Sequence, residues 1–155
     1  MATVIDGTTG VTQLKGAGTT TNDNAAAGQV GEYVESVVLV GAAISLTSAA
    51  PTNLGLLNLT AGDWDVSVSA VFVASMTTGV LNVVDSPNTV SATHNSTLIN
   101  RAQFMLPAPS GLSNSVAKGN IRFSLAAPTV IYHVVEAVFT GTCTAYGRIS
   151  ARRVR

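Results

Sequence analysis

The amino-acid sequence predicts an all-β protein, a jelly-roll-like antiparallel β-sandwich with an extended N-terminal arm. Three observations carry this reading. From Tyr33 onward apolar residues recur with a period of two, and β-branched side chains dominate. Turn chemistry separates the apolar stretches at fairly regular spacing, as it does in sandwiches and jelly rolls. Apart from the short NDNAAAG, no stretch has helical i, i+3, i+4 spacing between caps, and no heptad persists to make a coiled coil.

Residues 1–31 contain six glycines and seven threonines but few large apolar side chains, too little to bury a core. They read as the arm, and residues 32–155 as the sandwich domain. The arm is either a free tail or a segment ordered along a neighbouring subunit or larger scaffold. The apolar beads Val4, Ile5, Val11 and Leu14 are its candidate docking residues.

The strands follow in order. YVESVVLV (33–40) and AISLTS (43–48) are separated by Gly41, and LGLLNLT (54–60) ends at the turn Ala61-Gly62-Asp63. WDVSVSAVFVA (64–74) alternates most clearly, with Trp64, Val66, Val68, Ala70 and Phe72 on the core face and Asp65, Ser67 and Ser69 opposite. Val71 and Val73 turn that second face apolar near its end, so a subunit or another sheet should cover it. Shorter strands are expected at 79–84, 88–93 and 97–105, with a long loop at 106–118. NIRFSLA (120–126) points Ile121, Phe123 and Leu125 inward. TVIYHVVEAVF (129–139) is apolar on both faces, the mark of a central strand covered on each side. In TAYGRISARRV (144–154) the small residues Ala145, Gly147 and Ala151 allow close approach of another backbone.

Composition bears on assembly. The 155 residues are 46% hydrophobic and only 10% charged, against roughly 25% in soluble domains. A lone globule needs surface charge, so a chain this poor in it is expected to cover part of its surface with copies of itself. The net charge is zero, yet residues 1–100 carry seven acids and only Lys15, while residues 101–155 carry seven bases and only Glu136. Either the two halves interleave in one sandwich and neutralise each other, or subunits are complementary. Arg148, Arg152, Arg153 and Arg155 form the one dense basic cluster, and without an aromatic platform beside it nucleic acid is not expected as a partner.

Cys143 is the only cysteine, which excludes an intrachain disulfide; it reads as a small buried hydrophobe, with a link between subunits as the alternative. The start, MATVIDGTTG, has no basic region followed by an apolar stretch, so no secretory signal is expected, and synthesis in a cytoplasm is comfortable. The longest apolar run, residues 37–46, is about half the ~20 residues a membrane span needs, so no membrane insertion is expected.

Catalytic equipment is sparse. A nucleophile needs a neighbouring base, and only His94 and His133 are available. His133, between Ile131 and Val135, suits a packed or interface role better than a catalytic one, and His94 in THNST suits a solvated or surface-contact one. Asp63 and Asp65 flank Trp64 on one side of a strand and are compatible with an ion, but a turn acid plus an outward strand acid explains them as well. Glu32, Glu35, Asp85 and Glu136 fall in no glycosidase pattern, and no nucleotide-binding motif occurs. No catalytic residue, metal or cofactor is therefore expected, and the chain reads as a non-enzyme.

The segment NDNAAAGQVGEYVESVV (22–38), followed by LTAGDWDVSVSAVF (59–72) and closed by AYGRISARRVR (145–155), resembles small structural proteins of tailed bacteriophages and prophages, of the head-decoration or fibre type. A looser likeness is to trimeric jelly rolls of the C1q and tumour-necrosis-factor type, in which a turn launches a long strand and an aromatic-glycine pair lies on the last one. Ala61-Gly62-Asp63-Trp64 and Tyr146-Gly147 match those features. The resemblances imply a homotrimeric virion surface protein, made in the host cytoplasm and bound to capsid, collar or tail proteins through its arm. The alternative is a receptor-binding fibre tip that recognises host surface glycan or protein through loops 75–96 and 106–118. On either reading the residues expected at the subunit interface are Val71, Val73, Tyr132, Val134, Tyr146 and Arg148.

Overall fold

The period of two becomes nine strands in a computed structural model that describes residues 23–75, 79–105 and 113–155. The strands are β1 (Tyr33–Val38), β2 (Ile44–Ser45), β3 (Thr52–Leu59), β4 (Gly62–Ala74), β5 (Gly79–Asn88), β6 (Ala102–Met105), β7 (Ser113–Leu125), β8 (Thr129–Thr140) and β9 (Cys143–Arg153). The front sheet has the order β1-β9-β4-β7, with β2 also pairing β9, and the back sheet has the order β3-β8-β5-β6. Every pairing is antiparallel. The partners nest from the outside in, β1 with β9, β3 with β8, β4 with β7 and β5 with β6. A long hairpin rolled into two layers gives this nesting, so the sandwich is wound as a jelly roll.

Alternation decides which side chains meet between the layers. Trp64, Val66, Val68, Ala70 and Phe72 of β4 are buried as predicted, and from the facing sheet Ile131, Val135 and Ala137 of β8 join them. Burying each of the larger of these side chains is worth about 1.5–3 kcal/mol, so β4 and β8 anchor the fold. Gly147 of β9 faces Ala70 in register, and a Cβ there would run into the carbonyl oxygen of Ser69. Here the close backbone approach expected from the small residues of β9 is realised.

Several boundaries differ from the sequence reading. Of the expected strand at 88–93 only Asn88 is in a strand, as the end of β5, and the 97–105 stretch shrinks to β6 after a 3-10 turn at Leu98–Asn100. Conversely β5 runs on to Asn88, and β7 begins at Ser113, inside the expected loop 106–118. The first half of β7, SNSVAKGN, is polar because its outer face meets solvent, and the register shift opposite Val66–Val68 breaks its alternation. Of AISLTS only Ile44 and Ser45 pair, because a 3-10 turn at Val40–Ala42 redirects the chain.

The segregated charges meet within the chain. Arg153 Nε lies 3.0 Å from Glu32 Oε2, Arg122 Nη2 lies 2.9 Å and Arg155 Nη2 2.7 Å from Asp63 Oδ2, and Arg148 lies 3.8 Å from Glu35. Each pair joins an early acid to a late base, because β9 and β7 flank the early strands β1 and β4. Residues 24–32 turn back onto the same corner. Gly31 N–H donates to Arg153 O at 2.9 Å, and the Asn24 side chain brackets the backbone of Tyr33.

Candidate functional site

The outer face of the front sheet gathers four of the six residues predicted at an interface. Val71 pairs with Tyr146 and Val73 with Thr144, while Arg148 stands between Ser69 and Val37. Directly opposed residues share a face, so Val37, Val71, Val73, Tyr146 and Arg148 all point away from the core. The chain then passes into the turn at Val40–Ala42, where Leu39 and Val40 are each 69% exposed, and Val37 is 48% exposed. Together they wall an open apolar groove of about 440 Å³ floored by Val71 and Tyr146.

A second depression adjoins it. Ser67, Ser69, Lys118, Arg148 and Ser150 line a dimple of about 140 Å³ where the register of β4 and β7 shifts and Gly119 and Ala117 leave space. Ser67 Oγ is held there by Asn120 Oδ1 at 2.9 Å. The face is thus apolar toward Val71 and Tyr146 and cationic toward Arg148 and Lys118.

The other two predicted residues lie on the back sheet. Tyr132 is half-buried beside Leu56, with its partners Leu56 and Asn88 in register. Val134 is 0% exposed and has no surface to offer another copy, which removes it from any interface. A strap of the chain's own residues 89–101 is tied down on either side of it. Val134 is flanked in register by Asn53 and Ser86, and both flanking side chains hold this strap. Asn53 bonds Ser91 Oγ and the Ala92 amide, each at 2.7 Å, and Ser86 Oγ lies 3.2 Å from His94 Nδ1. The docking residues Val4, Ile5, Val11 and Leu14 lie outside the described residues.

His94 departs from its expected solvated role. Only 12% of its side chain is exposed, and Nε2 lies 3.2 Å from Glu136 Oε2. Burial pulls its pKa down, against the opposing pull of Glu136. Ser86, His94 and Glu136 have the composition of a nucleophile, base and acid, but Ser86 is 0% exposed and its hydroxyl also accepts the Asn95 amide at 3.3 Å. With no opening at the hydroxyl, the trio acts as a clamp on the strap. Neither Ser86 nor the strap had a sequence signal.

His133 is packed as expected, 2.6 Å from Asp85 Oδ1 between the sheets, and burial raises the Asp85 pKa. Asp63, the better half of the candidate ion site, is instead held by arginines; the Ser124 hydroxyl, Arg122 and Arg155 keep its carboxyl below the usual range. Among the described residues no group of three or more His, Cys, Asp or Glu is placed to hold a metal. Cys143 is buried and its thiol pKa is raised by that burial, so it presents no sulfur to a neighbour. No helix of the described residues is long and apolar enough to cross a membrane.

No family model and no curated protein matches the chain. Among solved structures, it is similar to a chain in the structure of infectious bursal disease virus Gx strain, at 14% identity and a TM-score of 0.43, covering 79% of this chain and 30% of that one. A chain in the structure of the Gt strain of the same virus gives 14% identity and a TM-score of 0.42, covering 77% of this chain and 32% of that one. The chain therefore spans about a third of those it matches.

Proposed function

We propose that this protein is a structural component of a virus particle, a homotrimeric bacteriophage surface protein of the decoration, collar or fibre type, attached through its arm of residues 1–31. It assembles in the host cytoplasm and works in the virion, without catalysis or cofactor. The observation that carries the reading is the open apolar groove walled by Val37, Leu39 and Val40 in a chain only 10% charged. A face of this kind is stable in water once another protein surface covers it. The jelly-roll winding suits the role, since its hydrogen-bonded sheets present the same patch on every copy. The phage resemblance of AGDWDV and YGRISARR supplies the setting.

Solution mass and particle binding test it. The purified chain is expected to run as a trimer and to bind particles stripped of it, and Val71→Glu with Tyr146→Lys should release monomers. A wild-type chain that stays monomeric at high concentration overturns the reading. Competition with phage for host cells, without particle binding, would instead favour the receptor-binding tip.

A further inference from the structure

The groove and the dimple share Ser69 and Arg148, so apolar and cationic surface are continuous across the front sheet. Along β9 the change falls between Tyr146 and Arg148, which point the same way and stand two residues, or about 6.8 Å, apart. The cationic end is under-neutralised. The Arg148 side chain is 54% exposed with Glu35 no nearer than 3.8 Å, and among the described residues no carboxylate forms an ion pair with Lys118.

An occupant that satisfies both ends is an extended segment with an apolar side chain and, two positions on, a carboxylate. Such a segment repeats the spacing of Tyr146 and Arg148, because alternate residues of an extended chain point the same way. Residues 1–22 contain a single acid, Asp6, and Val4 stands two positions before it. We propose that residues 4–6 of one copy lie extended on the front sheet of a neighbouring copy. Val4 enters the groove beside Val71 and Tyr146, Asp6 meets Arg148 and Lys118, and Ile5 faces away.

The inference rests on the self-assembly reading above and makes the arm and the exposed face two halves of one contact. Reach is sufficient. Sixteen residues separate Asp6 from Asp23, and the seventeen steps between them span about 55 Å of extended chain. A domain of this size is roughly 35 Å across. Because donor and acceptor surfaces differ, the contact is heterologous, and its repetition around a ring engages every arm.

Disulfide trapping between two full-length variants tests the register. Val4→Cys mixed with Val71→Cys under mild oxidation should give a crosslinked pair at least five-fold faster than Ile5→Cys mixed with Val71→Cys. Cys143, being buried, stays out of the reaction. Adding Arg148→Glu to the Val71→Cys chain should slow trapping several-fold, and adding Asp6→Lys to the Val4→Cys chain should restore it. Equal rates for positions 4 and 5, or no restoration by the reversed charges, overturns the contact. So does crosslinking confined within a single chain carrying both cysteines. Light scattering on the same samples keeps the two readings apart: intact multimers without trapping overturn the arm contact alone, whereas monomers overturn self-assembly as well.

Discussion

The guanidinium of Arg153 lies 4.3 Å from the centroid of the Trp64 ring, and so joins the last strand to the turn that launches β4. The same group donates from Nε to Glu32, from Nη1 to the Ala61 carbonyl at 2.8 Å and from Nη2 to Thr60 Oγ1. The Trp64 indole N–H donates to the Thr60 carbonyl at 2.9 Å. Gly62 is required in this corner, with a φ of +136° and the Arg153 guanidinium where a Cβ would stand. The two sequence landmarks, AGDWDV and SARR, are therefore one structural unit.

Removing Arg153 should be severe, because Glu32 is then left buried without its cation. Breaking a buried pair from one side costs about 3–5 kcal/mol. Arg153→Met is expected to lose that much in chemical denaturation, and Glu32→Gln less, since its amide keeps the shape and most hydrogen bonds. Equal losses for the two would show that the ion pair alone holds the corner and that the stacking on Trp64 adds nothing.

Two glycines separate steric need from mere presence. At Gly147 the obstacle is the Ser69 backbone, which has no rotamer to yield, whereas at Gly119 nothing lies within 4 Å of a built Cβ. Gly147→Ala should cost about 1–3 kcal/mol, as overpacking does. Gly119→Ala should stay within about 0.5 kcal/mol of the parent. Thermal melting of the two variants side by side measures the difference.

These contrasts also explain what the sequence revealed. The core face of β4 was legible because alternation survives wherever one face is dry and the other wet, and the pairing of early acids with late bases follows from interleaved strands. Apolar residues on both faces of β8 suggest cover by another chain, yet Val134 is already buried within one chain, where a strap of residues 89–101 is tied down on either side of it. That strap is polar and aperiodic, held by Asn53, Ser86 and Glu136 from distant strands, and no local pattern encodes such contacts. The outer front face was legible for the same reason as the core, since Val71, Val73, Tyr146 and Arg148 are fixed by register. The exposed turn after β1, which walls the groove, was hidden because VVLV reads equally as strand.

Acid should loosen the fold in two stages. His94 has its pKa lowered in the folded state, chiefly by burial, so below about pH 6.5 the unfolded chain binds more protons and stability falls with pH. The charges of Glu136, Arg101 and, from the other side of the sheet, Asp85 act on the same imidazole and set the size of the effect. Glu32 and Asp63 follow. The Gly28 amide and Arg153 lower the Glu32 pKa, and Ser124 and Arg122 that of Asp63, so their stabilisation is present above the unfolded values of 4.5 and 3.8 and is lost as pH falls through the folded ones. Denaturation midpoints measured from pH 8 to pH 3 should decline in both windows. His94→Gln should flatten only the upper decline and Glu32→Gln part of the lower.

The pair between the layers gives the sharpest test of how the core tolerates charge. His133 and Asp85 are both almost wholly buried, 2.6 Å apart, and among the described residues Asp85 Oδ2 has no hydrogen-bond partner. Burial opposes ionisation of Asp85 and raises its pKa, with His133 pulling the other way, so the pair contributes little beyond satisfying itself. His133→Phe alone strands the carboxyl and should cost about 3–5 kcal/mol, while Asp85→Val with His133→Phe should recover most of that loss. The raised pKa adds a pH signature: in the His133→Phe protein the protonated Asp85 is the tolerated form, so stability should fall as pH rises from 3.8 toward neutrality. A His133→Phe protein as stable as the parent at pH 7, with no slope across that range, would mean that the carboxyl finds water or another partner when the imidazole is gone.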